Sequence, residues 1–218
     1  LSILDNRGDM ELALCNMDIL ERIDRDFMER SAVKAGGAKI VGIDTNMTEE
    51  NIDYITDKLS GTPIFIDPVS VHKAERIKRL SGRFHTMKPN RLEAEAISGI
   101  AIASESDLPR AADWFLEAGV KRLFITLGKQ GVFFADEKNS GILRAPQIDI
   151  VSATGAGDAF SAACLKAFVD GLGIRETAAL AMAASAVAMT APTAVSTEMS
   201  MALLKTKCEN AFLYESVV

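Results

Sequence analysis

The stretch VSATGAGDAF, residues 151–160, places three small residues and an acid where an apolar strand ends and a helix begins. Gly155, Ala156 and Gly157 let the backbone approach a ligand closely, and the unpaired N–H groups at a helix start attract an oxyanion. The carboxylate of Asp158 would repel that anion unless it had a task of its own. A general base fits: it takes a proton from a hydroxyl while the N–H groups stabilise a transferring phosphoryl group.

Two other interpretations of this turn stay open. Asp158 is also a favourable first-turn residue because of the helix dipole, with the glycines making an ordinary turn. A dinucleotide-binding fingerprint fits less well, because Phe160 stands where its third glycine should be and the turn comes late in the chain. The phosphate-loop pattern GxxxxGK[ST] occurs nowhere in the sequence.

The composition favours one main domain with small-molecule partners. The 218 residues are 48% hydrophobic, which is enough to bury a sizeable core. The net charge is −6 and no run of Lys or Arg occurs, which argues against a nucleic-acid or membrane partner. The longest apolar stretch, 178–191, is too short to span a bilayer and predicts a buried helix. Cys15, Cys164 and Cys208 lack the paired spacing of a metal site, so we interpret them as reduced thiols of a cytoplasmic protein.

Short apolar strands alternate with helices along most of the chain. The predicted strands are 39–44, 63–67, 83–87, 122–127, 131–135 and 141–145. The predicted helices are 26–35, 49–59, 71–80, 91–98, 107–118, 157–170 and 174–190, with Thr48 and Ser106 as caps. This alternation predicts an α/β fold with a mostly parallel, doubly wound sheet covered by helices on both faces. Ligands bind such sheets at the carboxyl ends of the strands, where the turn 155–158 lies.

The first twenty residues form a separate feature. Apolar and polar residues alternate on either side of NRGD, residues 6–9, which is typical of a two-stranded hairpin with glycine at its turn. An isolated hairpin is marginal in water, so this one must lie on something. We therefore expect a hairpin over 1–20 and the α/β domain over 21–218.

A second motif, KPNRLEAE at 88–95, also follows a predicted strand. Asn90 and Glu93 are three residues apart, so both side chains can point from one helix face towards one ligand. An amide and a carboxylate suit a hydrated Mg2+ on nucleotide phosphates, because that ion takes few protein ligands. Asn90 as a helix cap and Glu93 as a solvated residue remain an open alternative.

A third motif, TLGKQG at 126–131, joins a strand to its neighbour. Thr126, Gly128 and Gly131 would form a turn at the ligand-binding edge of the sheet. An ordinary glycine-bearing hairpin has the same pattern, so this motif alone does not decide.

In this order and spacing, the three motifs resemble those of the ribokinase-like (PfkB) carbohydrate kinase family. That family has N-x-x-E, T-x-G-x-x-G and G-A-G-D motifs along one edge of an α/β sheet, matched here at 90–93, 126–131 and 155–158. The resemblance covers essentially the whole chain. Residues 1–20 resemble the lid strands of the family, most of all those of its pseudouridine kinase branch.

The resemblance implies ATP-dependent phosphorylation of a hydroxymethyl group on a sugar or nucleoside, with pseudouridine as the leading candidate. It implies that Asp158 is the catalytic base and that the backbone of Gly155, Ala156 and Gly157 is the anion hole. These roles agree with the reading of the residues, because phosphoryl transfer consists mainly of positioning and charge stabilisation.

The resemblance also implies where the cofactors bind. Asn90 and Glu93 would help to place Mg2+ and the phosphates. The ATP site would be lined by residues of the two glycine turns, Thr126, Gly128, Gly131 and Thr154. Ser152 stands where the family often has Asp or Asn beside a monovalent-cation site, and this departure weakens the case for K+ as an activator.

Two further departures separate the chain from the family pattern. Met182 stands where many members have an Asn near the adenine, so that contact is expected to be missing. The family's first strands and its Gly-Gly sugar-binding motif are also expected to be missing. The alternative function is therefore a truncated or degenerate relative that binds nucleotide or dimerises without catalysis. Because lids of this family often pair, the hairpin is the expected homodimer contact.

The remaining ionisable residues are less informative. Nothing pairs His72 or His85 with a nucleophile, so we expect packing or surface roles. Asp44 and Asp67 end strands at the ligand edge, where each could touch substrate or cap its own turn. Lys88 could reach a phosphate, but we interpret it as a solvated lysine.

Overall fold

The chain is an alternation of strands and helices in a computed structural model that describes residues 2–4, 10–13, 16–211 and 214–215. The strands are β1 (Ser2–Leu4), β2 (Met10–Ala13), β3 (Val41–Asp44), β4 (Ile64–Asp67), β5 (Thr86–Met87), β6 (Arg122–Thr126), β7 (Val132–Asp136), β8 (Ser140–Leu143) and β9 (Tyr214–Glu215). The α-helices are α1 (Arg25–Ala35), α2 (Glu49–Lys58), α3 (Val71–Ala74), α4 (Arg91–Ser98), α5 (Leu108–Glu117), α6 (Ala156–Val169), α7 (Ile174–Met189) and α8 (Met201–Ala211).

The main sheet has the strand order β3-β4-β5-β6-β7-β8-β9, which is also the chain order. Strands β3 to β6 are parallel, whereas β7, β8 and β9 each pair antiparallel with the strand before. The change follows from the short connections 127–131 and 137–139, because a parallel crossover needs a dozen or more residues. The α/β fold predicted from the sequence is confirmed.

Helices cover both faces of this sheet. Along β6, Leu123 and Ile125 pack into one apolar cluster with α2, α4 and α5. Phe124, between them, packs into a second cluster with α6 and α7. This alternation is the period of two that a strand buried on both faces requires. The Ala-rich stretch 178–191 lies mostly in buried α7, as predicted.

The N-terminal strands form a small sheet of their own. β1 and β2 pair antiparallel, with Ser2 opposite Ala13 and Leu4 opposite Met10. The turn predicted at residues 6–9 lies outside the described residues, as does Cys15. The division into a lid over 1–20 and a domain over 21–218 stays a prediction.

Three local predictions differ from the structure. The helix predicted over 71–80 is a single α-helical turn, α3, followed by the 3-10 segment Glu75–Arg83. Ser106 is not a helix cap. Ser104 and Asp107 form the capping box instead, and α5 begins at Leu108 with a proline in its first turn. Helix α8 and strand β9 were not predicted from the sequence.

Two of the cysteines lie in the described part of the chain. Cys164 is buried and Cys208 is half-buried, and neither forms a disulfide with another described residue. Burial raises the pKa of the Cys164 thiol, which keeps it neutral. Among the described residues, no group of three His, Cys, Asp or Glu side chains could hold a metal ion. None of the helices in the same ranges is long and apolar enough to cross a membrane.

Candidate active site

The turn before α6 depends on a glycine in the left-handed region. Gly155 has φ +85° and precedes the first helical residue, Ala156. A Cβ on Gly155 would lie 2.1 Å from the carbonyl oxygen of Ala194, so no other residue fits. The first helical bond joins the Ala159 N–H to the Gly155 carbonyl. The conformation of the turn is therefore restricted by the close approach of Ala194 and by the first hydrogen bond of α6.

The donors of this turn are available to a ligand. The Ala156 N–H makes a long 3.4 Å contact with the Ala153 carbonyl. The N–H groups of Gly157 and Asp158 donate to no group in the part of the chain that the structure describes. With the positive end of the α6 dipole behind them, they are suited to bind an anion.

A cavity of about 860 Å3 opens in front of these donors, at the carboxyl ends of β5 and β6. It brings together five residues predicted from the sequence: Thr126, Gly128, Gly131, Ala156 and Gly157. Its apolar side is formed mainly by α6 and α7, through Phe160, Met182, Ala186 and Met189. A nucleotide-sized ligand fits a cavity of this volume, with its anionic part at the glycine turn.

The motif at 126–131 is a cavity wall and a hairpin turn at once. Gly128 and Gly131 have φ values of +58° and +115°. A Cβ on Gly131 would lie 1.9 Å from the Leu143 carbonyl oxygen of β8. The Leu127 N–H donates to the Gly131 carbonyl at 2.9 Å and closes the turn between β6 and β7. The glycines thus let the backbone itself form the wall of the cavity.

Asn90 and Glu93 form a capping box at the start of α4. The Asn90 N–H donates to Glu93 Oε2 at 2.8 Å, and the Glu93 N–H donates to Asn90 Oδ1 at 2.9 Å. Asn90 is therefore a cap, as the alternative interpretation had it. Glu93 is not solvated, because it is only 3% exposed. Burial raises the pKa of the Glu93 carboxyl, against the opposing effects of the Asn90 N–H and Lys88. Neither residue of the box lines the cavity.

Asp158 and Thr154 lie at the turn but outside the cavity wall. Both residues are exposed. Within the described residues, the Asp158 carboxylate takes part in no hydrogen bond or ion pair, so it is available to a substrate hydroxyl. The Thr154 N–H donates to Ser152 Oγ at 3.2 Å, so this N–H group already has a partner within the turn.

Lys88 is the site residue that sequence reasoning missed. Its side chain is 8% exposed, so the interpretation as a solvated lysine is wrong. The ammonium pairs with Asp67 Oδ2 at 3.0 Å and lines the cavity. A Cβ on Gly157 would lie 3.8 Å from Lys88 Nζ, so the cation faces the anion-binding turn. The available signal was the parallel register, in which both residues directly follow the paired Ile66 and Met87.

Other ionisable residues have local roles. His85 packs edge-on against Phe168, with ring centroids 5.0 Å apart, and burial is the main cause that lowers its pKa. His72 is exposed at the surface. Asp44 accepts hydrogen bonds from the backbone and side chain of Asn46 and caps its own turn.

The profile of the pfkB family carbohydrate kinases matches residues 5–200 of this sequence. The chain belongs to the pfkB family. It is therefore a domain of a sugar or nucleoside kinase. The two glycine turns of this pfkB chain, at 126–131 and 155–158, contribute residues to the cavity wall together with Lys88.

Known proteins are similar to this pfkB chain over most of its length. It is 34% identical over 212 residues to pseudouridine kinase of Escherichia coli, which covers 97% of the chain and 68% of that enzyme. The crystal structure of a candidate sugar kinase from Clostridium perfringens is 30% identical, with a TM-score of 0.87, over 99% of this chain and 69% of that one. Arabidopsis thaliana ribokinase, solved with ribose and ATP, has the same fold at a TM-score of 0.70, with 21% identity over 84% of this chain and 59% of that one. The pfkB chain thus spans about two thirds of the length of these relatives.

Proposed function

We propose that this chain transfers the terminal phosphoryl group of ATP to a hydroxymethyl group of a sugar or nucleoside, with pseudouridine as the first candidate acceptor. One observation carries the proposal: one cavity is lined by Gly157 at the start of α6, by Lys88 and by the glycine turn 126–131. The similarity to pseudouridine kinase supports the choice of acceptor.

ATP would bind with its base on the apolar side of the cavity and its phosphates at the glycine turn. Met182, Ala186 and Met189 offer the base an apolar surface without a hydrogen-bonding partner. The Gly157 N–H and the Lys88 ammonium would meet the phosphates, because both face the same space. Charge-assisted hydrogen bonds of this kind are the strong ones.

Mg2+ would be held mostly by the nucleotide phosphates, with Glu93 as the one protein carboxylate beside them. Of the two Glu93 oxygens, Oε2 serves the helix cap, whereas Oε1 accepts no hydrogen bond from the described residues. One carboxylate is enough, because Mg2+ keeps several waters and is bound mostly by substrate phosphates. The ion would neutralise phosphate charge during transfer.

The chemical step uses Asp158. Its carboxylate takes the proton of the acceptor hydroxyl as the oxygen forms a bond to the γ-phosphorus and the bond to the ADP oxygen breaks. The Gly157 and Asp158 N–H groups and Lys88 stabilise the charge on the transferring group. The exposure of Asp158 leaves room for an acceptor in front of it.

Three further elements complete the proposal. The case for K+ activation is weak, because Ser152 stands where the family often has Asp or Asn. The hairpin of β1 and β2 would join two copies of the chain. The reduced state proposed for the cysteines would fit a cytoplasmic location.

The test measures ADP release with Mg-ATP and a panel of sugars and nucleosides that includes pseudouridine, together with the melting temperature with and without ATP. Acceptor-dependent ADP release is the expected result. A rise in melting temperature without ADP release from any acceptor would favour the nucleotide-binding relative without catalysis. No effect of ATP on either quantity would contradict the proposal.

A further inference from the structure

The Asp67 carboxylate connects three parts of the candidate site. Its Oδ2 pairs with Lys88 Nζ at 3.0 Å and accepts a hydrogen bond from Ser161 Oγ at 2.9 Å. Its Oδ1 accepts the Val69 N–H at 3.1 Å. One side chain at the end of β4 thereby holds the lysine after β5, the first turns of α6 and its own loop.

Ser161 extends this connection to the anion-binding turn. Its Oγ lies 3.0 Å from the Gly157 carbonyl oxygen as well as 2.9 Å from Asp67. Because a hydroxyl has one proton, the two acceptors share it. The position of the Asp67 carboxylate, and with it the Lys88 ammonium, is therefore tied to the residue whose N–H faces the cavity.

The ion pair between Lys88 and Asp67 is buried, and removing two charges from water costs free energy. The side chains of Lys88 and Asp67 are 8% and 16% exposed. Taking two charges out of water offsets much of their attraction, so such a pair contributes little to stability compared with apolar packing. A buried pair in the wall of a ligand cavity is therefore better explained by the geometry it imposes on the cation.

The loop after Asp67 carries backbone strain. Val69 has φ +62°, which is unfavourable for a β-branched residue. The conformation is fixed by bonds to the Pro68 carbonyl from the Ser70 N–H and the Thr45 hydroxyl. In it the Val69 N–H reaches the Asp67 carboxylate. Strain of this kind persists at functional sites where the surrounding structure over-determines it.

We propose that Asp67 and Ser161 are positioning residues, which hold the Lys88 ammonium in front of the start of α6, where the terminal phosphates of the nucleotide bind. This inference rests on the proposed function, since it needs a nucleotide in the cavity. It goes beyond it by assigning tasks to two residues that touch neither the nucleotide nor the acceptor.

The first experiment compares the dissociation constants of Mg-ATP and AMP by calorimetry, without any acceptor. The ratio of the Mg-ATP to the AMP dissociation constant isolates the contribution of the terminal phosphates. Ser161→Ala should raise this ratio about 3- to 10-fold and leave AMP binding unchanged, because Asp67, the partner of Lys88, loses one of the hydrogen bonds that hold it. Ser161→Thr keeps the hydroxyl and should restore the ratio.

A matched control exists in α1. Ser31 Oγ donates to the Phe27 carbonyl at 2.8 Å. This is the same bond to the fourth preceding residue that Ser161 makes, but Ser31 forms no hydrogen bond with Asp67. Ser31→Ala should leave the ATP to AMP ratio at the wild-type value. An unchanged ratio in Ser161→Ala, with ATP still bound, would overturn this inference alone. No binding of ATP or AMP to the wild-type chain would overturn the proposed function with it.

Asp67→Asn gives a second readout. The variant removes a negative charge beside the cation, so Mg-ATP should bind at least as tightly as to the wild type. Turnover with pseudouridine should nevertheless fall tenfold or more, because the cation is no longer held for the transition state. A purely structural ion pair would instead weaken ATP binding in parallel with thermal stability, and that outcome would contradict the positioning role.

Discussion

Asp158 illustrates how much depends on a single carboxylate at the start of α6. If it is the base, Asp158→Asn should lower kcat by about 10²–10⁴ and leave the dissociation constant of Mg-ATP nearly unchanged. Asp170→Asn, at the exposed end of the same helix, is the control and should have wild-type kcat. Steady-state ADP release and calorimetry measure the two quantities. Undiminished turnover in Asp158→Asn would exclude the assigned base.

Glu93 makes stability depend on pH at the residue scale. Because burial raises its pKa above the ordinary 4.5, the folded chain holds this proton more tightly than the unfolded chain. The stabilising contribution is therefore complete below pH 4.5 and is lost as the pH rises through the folded-state pKa.

Glu93→Gln isolates this effect, because the amide oxygen still accepts the Asn90 N–H. The unfolding free energy of the wild type minus that of Glu93→Gln should fall as the pH rises from about 4 to 7 in urea titrations. A difference that is constant with pH would mean that the pKa of Glu93 is the same in the folded and the unfolded chain, which would contradict the prediction.

Single residues show where sequence reasoning succeeds and where it ends. The glycines at 155 and 131 were recognisable, because their positive φ values leave few alternatives to glycine. The burial of Lys88 and Glu93 was not recognisable, because both look like surface residues in the sequence. Their burial results from contacts with Asp67 and with the cap of α4, which only the folded chain brings together.

At the scale of elements, the turn before α6 is fixed by its contact with the segment after α7. Gly155→Ala would place a Cβ at φ +85° and 2.1 Å from the Ala194 carbonyl oxygen. The unfolding free energy should fall by about 2–4 kcal/mol, and ATP binding should be lost as the turn moves. Chemical denaturation and calorimetry give both values.

Gly61→Ala is the matched control, because a Cβ there meets nothing within 4 Å and its φ is not positive. We expect its unfolding free energy to stay within about 0.5 kcal/mol of the wild type. Equal effects of the two substitutions would contradict the assignment of the close contact at Gly155.

Elements with a clear period were predicted within a few residues, as α6 and α7 show. The segment after α3 was not, because Glu75–Arg83 has an apolar period but forms 3-10 turns. The start of α5 was misplaced because Ser104 and Ser106 both look like caps, and only the bond between Ser104 and Asp107 decides between them.

At the scale of the whole molecule, the hairpin of β1 and β2 is the part without a partner in the main sheet. If it joins two copies, the chain should sediment at about twice its 23.4 kDa mass, and a variant lacking residues 1–13 should sediment as a monomer. Analytical ultracentrifugation at micromolar concentration measures this. A monomeric intact chain would exclude the proposed contact, and an unchanged melting temperature of the truncated variant would show that the main domain remains folded.

The class of fold was predictable because the alternation of strands and helices leaves few topologies open. The antiparallel edge was partly predictable from the short connections at 127–131 and 137–139, whereas β9 depends on a return of the chain end that no local pattern encodes. The position of the cavity at the strand ends was predictable from the sequence. The presence of the Lys88 ammonium in its wall was not.

Because the strands of the main sheet lie in chain order, each one can join the edge of the sheet as it leaves the ribosome. The cavity does not grow in that way, since α6 and α7 come after all but the last strand. Until they are synthesised, the nascent sheet exposes Phe65, Phe124 and Phe134, the aromatic face that these helices later cover. Between the synthesis of β8 and that of α7, the growing chain therefore exposes an apolar face that is open to aggregation.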